Sequence, residues 1–477
     1  MSAVDFYSLD AMGPPATLAD GLLEVIPQMP LLHTFKITNS SFFGAWTTLL
    51  RVVLAMPNIH TLEIRDSVWR TPAEAFTETD LRTMVKPLTP RIRTFIYHAP
   101  FTDCFPLGSK SYGRRDHFQG ALEVSNLLVL IETFRFTLEV LDIPAELAPR
   151  LISEIATSHT SPDTLFPNLR EMRVQGHTPF SGSSRDSSSA FECWQGFFTP
   201  SGWAPKLHDL SLQMAALPGE NNRTLGMNYS IFPLFHDLGF QDLEHQGTLT
   251  QLHSFALSTP VVHDLLYQIL PKSLAELDLR AYPLPGVVGG STKCVRTVVP
   301  SASQLSTILE VVNLPRLETL KLSYRIEDDV DRLCEETLMA GLAKTLWTIS
   351  SLEIHRYRPH ARSNSDDDPI HPLTRHLSSM AYLKTISLNL DFPERPRHHQ
   401  AIWNGPNVAS QRQANQKALE MGTVKTLAEC MKCLSSIRIL SHEDFSSHWN
   451  SWDVLRRQGS QPKVQIVELI SRGRSEV

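Results

Sequence analysis

One short phrase recurs twelve times in this chain: an apolar residue, two variable positions, an apolar residue, one variable position and a third apolar residue. The first copies are Leu32/Phe35/Ile37, Ile59/Leu62/Ile64 and Ile92/Phe95/Tyr97. Leu138/Leu141/Ile143, Leu169/Met172/Val174, Leu207/Leu210/Leu212, Leu252/Phe255/Leu257 and Leu274/Leu277/Leu279 continue the series. Leu317/Leu320/Leu322, Ile349/Leu352/Ile354, Leu383/Ile386/Leu388 and Leu434/Ile437/Ile439 complete it. Pro30, Pro57, Pro90, Pro167, Pro205 and Pro315 each stand two residues ahead of the first apolar position. A shared upstream breaker separates one repeated motif from chance leucine spacing.

The last two apolar positions of each copy have strand periodicity, whereas the intervening stretches have helical spacing. Helices are expected over 19–26, 46–56, 261–270, 305–312, 338–347 and 417–431. Strands alternating with helices imply a parallel sheet with right-handed crossovers. The expected fold is therefore an α/β leucine-rich-repeat solenoid of about twelve irregular repeats. Its curved parallel sheet lines the concave face, with helices outside. The expected layout is a single array over 1–477. Residues 1–28 form an N-terminal cap and first helix, 29–442 the repeats and 443–477 a C-terminal cap. Repeat spacing runs from 22 residues (Leu252 to Leu274) to 51 (Leu383 to Leu434). Long intervals are read as loops at 176–189, 359–372 and 393–411, rich in Ser, Asp, Pro, Arg or His.

The repeat phrases MPNIHTLEIRDS (56–67), FPNLREMRVQG (166–176), LPRLETLKLSYR (314–325) and MAYLKTISLNL (380–390) resemble those of fungal F-box/leucine-rich-repeat, ribonuclease-inhibitor-like proteins. The resemblance covers nearly the whole chain from Leu22 onward. It implies a substrate-recognition scaffold of an SCF-type ubiquitin ligase, in which an N-terminal F-box holds a Skp1-type adaptor. The residues ahead of Leu32 contain no Leu-Pro-x-Glu opening and no room for three helices. A Skp1-type partner is thus expected only if an F-box is missing from this gene model. The alternative is a repeat-only binding protein unrelated to ubiquitin.

Strand alternation marks the candidate binding face, because the residue between the second and third apolar positions points away from the core. That row is Lys36, Glu63, Ile96, Asp142, Arg173, Ser211, Ala256, Asp278, Lys321, Glu353, Ser387 and Arg438. Flanking rows add Arg65, Gln175, Arg280 and His355 on one side and Glu171, Asp209 and Glu276 on the other. A protein or peptide partner is expected there, engaged by Lys36, Glu63, Arg65, Asp142, Glu171, Arg173, Asp209, Asp278, Arg280, Lys321, Glu353, His355 and Arg438. A nucleic-acid groove needs a basic excess with interleaved aromatics. This row has four bases against four acids, and the whole chain carries a net charge of -6. No nucleic-acid partner is expected.

Catalytic and cofactor chemistry find no support in the motifs. Cys430-Met431-Lys432-Cys433 closes an expected helix, where a redox pair would open one. Residues 286–293 put Lys293 after Thr292, which is not the phosphate-loop order. His355, His360, His371 and His376 lack metal-ligand spacing, and no Gly-x-Ser-x-Gly elbow occurs. A non-enzyme with no metal, cofactor or membrane span is expected. The six cysteines are sparse and the start lacks a secretory pattern, so the expected location is cytoplasmic or nuclear. Ser363 and Ser365 each precede an aspartate by three residues and are candidate phosphorylation sites.

Overall fold

The computed structural model describes residues 3–7, 16–38, 47–65, 91–98, 117–145, 147–148, 151, 154–155, 165–177, 204–215, 249–258, 260–262, 264–281, 299–326, 328–357, 369–390, 406–442, 447–457 and 463–469. They belong to two compact units, Met1–Tyr229 with Leu234–Leu252 and Lys293–Arg296, and Ser230–Pro233 with His253–Thr292 and Thr297–Val477.

In the first unit seven strands lie side by side in chain order, all parallel: β1 (Ala3–Tyr7), β2 (Thr34–Thr38), β3 (Thr61–Arg65), β4 (Thr94–His98), β5 (Val140–Pro144), β6 (Glu171–His177) and β7 (Asp209–Ala215). Helices α1 (Ala16–Val25), α2 (Thr47–Leu54) and α3 (His117–Phe134) fall between them. The second unit continues the same plan with β8 (Ser254–Leu257), β9 (Glu276–Leu279), β10 (Thr319–Arg325), β11 (Ser351–Tyr357), β12 (Thr385–Asn389) and β13 (Ser436–His442). Its helices are α4 (Leu266–Ile269), α5 (Ala302–Val311), α6 (Asp329–Thr345), α7 (Ile370–Leu377) and α8 (Pro406–Cys430). This is the leucine-rich-repeat architecture: a parallel strand per repeat, returned to its neighbour by a helix or loop.

The apolar positions of all twelve phrases are buried, none exposed beyond a few per cent. Removing one such side chain costs about 2–5 kcal/mol, so the phrase is the core. The turn ahead of each strand explains the proline. Leu32, Leu169, Leu207 and Leu317 donate their N–H to the carbonyls of Met29, Phe166, Ala204 and Leu314 at 3.1–3.4 Å. Pro30, Pro167, Pro205 and Pro315 therefore occupy the second position of a β-turn, where a fixed φ is favoured. The proline shapes the turn into the strand as well as stopping what precedes it. The first turn residue forms a further buried position, seen at Phe166, Leu314, Leu346, Met380 and Met431.

Several elements differ from their expected bounds. The helix expected over 261–270 is a single turn at 266–269. The one expected over 338–347 begins at Asp329, because Asp328 caps it by accepting the Asp331 N–H at 2.9 Å. The helix expected over 417–431 begins at Pro406. Helices α3 and α7 were not anticipated. Of the stretch read as loop up to Pro372, Ile370–Pro372 form the start of α7, and of the stretch read as loop from Gly176, Gly176 and His177 belong to β6, while 178–189 lie outside the described residues. Gly176 sits at φ 137°, a conformation that favours glycine. Strand β1 lies within the expected N-terminal cap and pairs with β2 in register. In the expected C-terminal cap, β14 (Ser447–Arg457) and β15 (Lys463–Leu469) extend the sheet antiparallel. Among the described residues no helix is long and apolar enough to cross a membrane.

Buried polar ties lock helices to strands. Tyr324 Oη donates to Glu335 at 2.6 Å, and Arg356 reaches the same carboxylate through Nε at 2.8 Å and Nη2 at 3.2 Å. Glu335 is on α6, so one carboxylate holds that helix to β10 and β11. In the first unit Tyr97 on β4 donates to Glu123 of α3 at 3.0 Å. Buried charge of this kind is tolerated only with such partners.

Candidate functional site

The strand register assembles the candidate row residue by residue. In the first unit Lys36 pairs with Glu63, Glu63 with Ile96, Ile96 with Asp142, Asp142 with Arg173 and Arg173 with Ser211. In the second, Ala256, Asp278, Lys321, Glu353, Ser387 and Arg438 pair in succession. Asp5 of β1 extends the first row by one register position. Parallel pairing without register slips follows from the burial of one face: a one-residue shift would turn every apolar position outward.

Exposure divides the row by charge. Glu63, Asp142 and Asp278 are buried, whereas Arg65, Arg173, Arg280, Lys321 and Arg438 reach solvent in whole or part. Short carboxylates lie down on the sheet and longer bases stand over them. Lys36 and Arg65 both bond Glu63, the former at 3.3 Å. His98 Nε2 lies 2.9 Å from Asp142, and Arg173 pairs with Glu171. Lys321 pairs with Glu276, and half-exposed Asp209 lies 3.5 Å from His208.

The second unit carries a larger constellation. Arg280 grips Asp278 through Nε at 2.9 and 3.1 Å and Nη2 at 2.7 Å. Its Nη1 reaches Glu353 at 2.6 Å, so one side chain spans from β9 to β11. Ser323, between them on β10, is fully buried. His355 Nε2 bonds the same Glu353 oxygen at 2.7 Å, and Asn389 Nδ2 lies 3.3 Å from His355 Nδ1. Trp449 of β14 covers the histidine edge-on, with ring centroids 5.8 Å apart, and Tyr357 stacks beside it. The Arg438 guanidinium lies 5.0 Å from the Trp449 ring.

These contacts set the electrostatics. Burial pushes the Glu353 carboxyl up, but the His355 hydrogen bond and the Arg280 charge outweigh it and hold it down at about 2. Burial lowers Arg280, yet Asp278 and Glu353 raise it above its ordinary value. Both groups stay ionised, so the site is a fixed charge pattern. On the helix side, the His376 hydrogen bond lowers the Glu336 carboxyl.

Some sequence expectations need correction. His355 is fully buried and cannot touch a partner; it positions Glu353. Glu63, Asp142 and Asp278 are buried and seat Lys36 and Arg65, His98, and Arg280. Trp449 was missed because 443–477 was read as a cap, and Tyr357 and Asn389 because they lie beyond the three apolar positions of their repeat phrases. The period-two alternation of Trp452 and Val454, both buried, was the available strand signal. Ser363, Ser365, His360 and the 286–293 segment lie outside the described residues. Cys430 ends α8, and both Cys430 and Cys433 are free and exposed. Among the described residues no group of three His, Cys, Asp or Glu could hold a metal ion.

A solved structure described as "Crystal structure of TLR13-ssRNA13 complex" is similar to this chain at 13% identity and a TM-score of 0.24. The match covers 81% of this chain, which spans only 57% of the length of that one. No protein-family model and no curated protein matches the sequence.

Proposed function

We propose that this chain is a repeat scaffold whose strand face binds a protein or peptide and performs no chemistry on it. The supporting observation is the in-register row in which partly exposed bases rest on buried acids. Such bases are oriented before a partner arrives, which lowers the ordering cost of binding. Arginines are the natural hot spots, with Arg173, paired with Glu171, and Arg438, over the Trp449 ring, foremost. The test places a photo-crosslinking residue at Ser211 and at Ser451, the register partners of Arg173 and Arg438. The expected result is one dominant crosslinked protein, lost in Arg173→Glu or Arg438→Glu. Crosslinks that are unchanged in both variants would remove the strand face from the function.

Within this reading we propose the finer role of substrate recognition in an SCF-type ubiquitin ligase, supported by the resemblance of the repeat phrases. Its test is co-purification of a Skp1-type adaptor with the full gene product. An adaptor absent from the bound fraction, with the crosslinked partner retained, leaves a repeat-only binding protein unrelated to ubiquitin.

A further inference from the structure

The criterion that the strand face fails, a basic excess with interleaved aromatics, is met on a different surface of the second unit. Each of β9 to β13 is entered by a turn closed by one backbone hydrogen bond. The bonds run from Leu274 to Pro271, Leu317 to Leu314, Ile349 to Leu346, Leu383 to Met380 and Leu434 to Met431, at 2.9–3.4 Å. From Leu317 onward, the first and last residues of each turn are buried, so the two between them face out. Because β9 to β13 are parallel and in register, their turns line up along one sheet edge. Neighbouring turns are then about 4.8 Å apart.

That edge reads, in strand order, Lys272, Arg316, Trp347, Tyr382 with Lys384, and Lys432. All six are exposed. Trp347 and Tyr382 are 55% and 54% exposed, with ring centroids 5.7 Å apart. Glu318 is the acid among the corresponding positions, against four bases, in a chain where acids outnumber bases. None of the four bases forms an ion pair among the described residues, unlike Lys36, Arg65, Arg173, Arg280 and Lys321 of the strand face. Two flat aromatic faces are thus bracketed on both sides by unneutralised cations.

We propose that this turn edge binds single-stranded nucleic acid, with bases stacking on Trp347 and Tyr382 and phosphates meeting Lys272, Arg316, Lys384 and Lys432. Stacking on exposed aromatics beside a cationic track needs no groove and no base-specific hydrogen bond. An acidic peptide is the competing occupant. It would draw affinity from main-chain hydrogen bonds to the edge, but the strand-entry carbonyls there are used. The carbonyls of Ala275, Glu318, Ser350 and Lys384 each already accept two N–H groups from the next strand. A duplex is disfavoured because its base faces are stacked on one another. This departs from the expectation of no nucleic-acid partner, which rested on the strand face and overall charge.

The experiment is fluorescence anisotropy of the full chain with a labelled oligouridine of roughly ten nucleotides. Four phosphate contacts predict a slope of about −3 for log affinity against log salt. Trp347→Ala and Tyr382→Ala should each weaken binding roughly ten-fold, with Trp347→Phe restoring most of it. Lys384→Gln with Lys432→Gln should reduce the slope by about 1.4. All are exposed positions, and unchanged thermal melting would confirm folding. Absence of binding at low salt overturns the proposal, as does binding indifferent to the aromatic substitutions. Equal competition by polyglutamate or by a duplex also overturns it, the former pointing to an acidic protein instead.

Discussion

The strand faces of the two units are built from the same row of the same repeat, yet they hold their charges differently. In the first unit the ion pairs are local: Lys36 and Arg65 on Glu63, His98 beside Asp142, Arg173 on Glu171. Each joins neighbours along one strand or on strands close by. In the second unit Arg280 ties together acids on β9 and β11, His355 buttresses one of them, and Trp449 roofs the histidine. The difference shows what a shared partner does to a salt bridge. A single pair with a partly exposed base contributes little because water competes and the side chain loses entropy. A base held by two acids on different strands is more strongly coupled, and removing it leaves both charges stranded.

The comparison can be broken most directly at Arg280. Arg280→Ala strands two carboxylates in low-dielectric surroundings and should cost about 3 kcal/mol in urea unfolding of the full chain. A cost below that of Lys36→Ala would show that the network is no more coupled than the local pairs.

Acid provides the next test, of order 3 kcal/mol at most. The folded Glu353 carboxyl lies at about 2, below the ordinary 4.5. Its contribution is therefore fully present above pH 4.5 and is lost as the pH falls through about 2. Glu353→Gln should flatten stability against pH in that window, read by urea midpoints. An unaltered pH profile would remove Glu353 from the acid response.

Trp449→Ala should cost about 1–2 kcal/mol, less than a fully buried tryptophan, because the ring is only half-buried. It should also open His355 to solvent, seen as faster modification of its ring by diethylpyrocarbonate. A His355 ring that stays shielded would show that Trp449 is not the cover.

The smallest effect is expected at Lys36→Ala, about 0.5 kcal/mol and diminishing in high salt, because Lys36 is partly exposed and Arg65 still holds Glu63 without it. A larger, salt-insensitive loss would erase the contrast between the units.

The core and the row were legible because both depend on residue spacing. Burial of one sheet face forces Phe35, Leu62, Phe95 and their counterparts inward, and the intervening Lys36, Glu63 and Ile96 must then share the other face. Helix starts were less legible: the apolar spacing near Leu338 marked only the C-terminal half of α6, while its start depends on the Asp328 cap. Burial of His355 could not be read at all, since the row places it beside Arg280 on an open face. Its cover comes from Trp449, about ninety residues further on, through antiparallel pairing that the repeat does not encode.

By itself the sequence determined the repeat, the parallel register and the set of side chains on the strand face, because period-two alternation under one-sided burial permits a single solution. Only the tertiary structure decided which of those side chains meet solvent. Acids were seated beneath bases, His355 was roofed, and the unpaired cations gathered at the turn edge. Those outcomes depend on side-chain length, cross-strand reach and antiparallel strands from outside the repeats, none of which is carried by spacing along the chain.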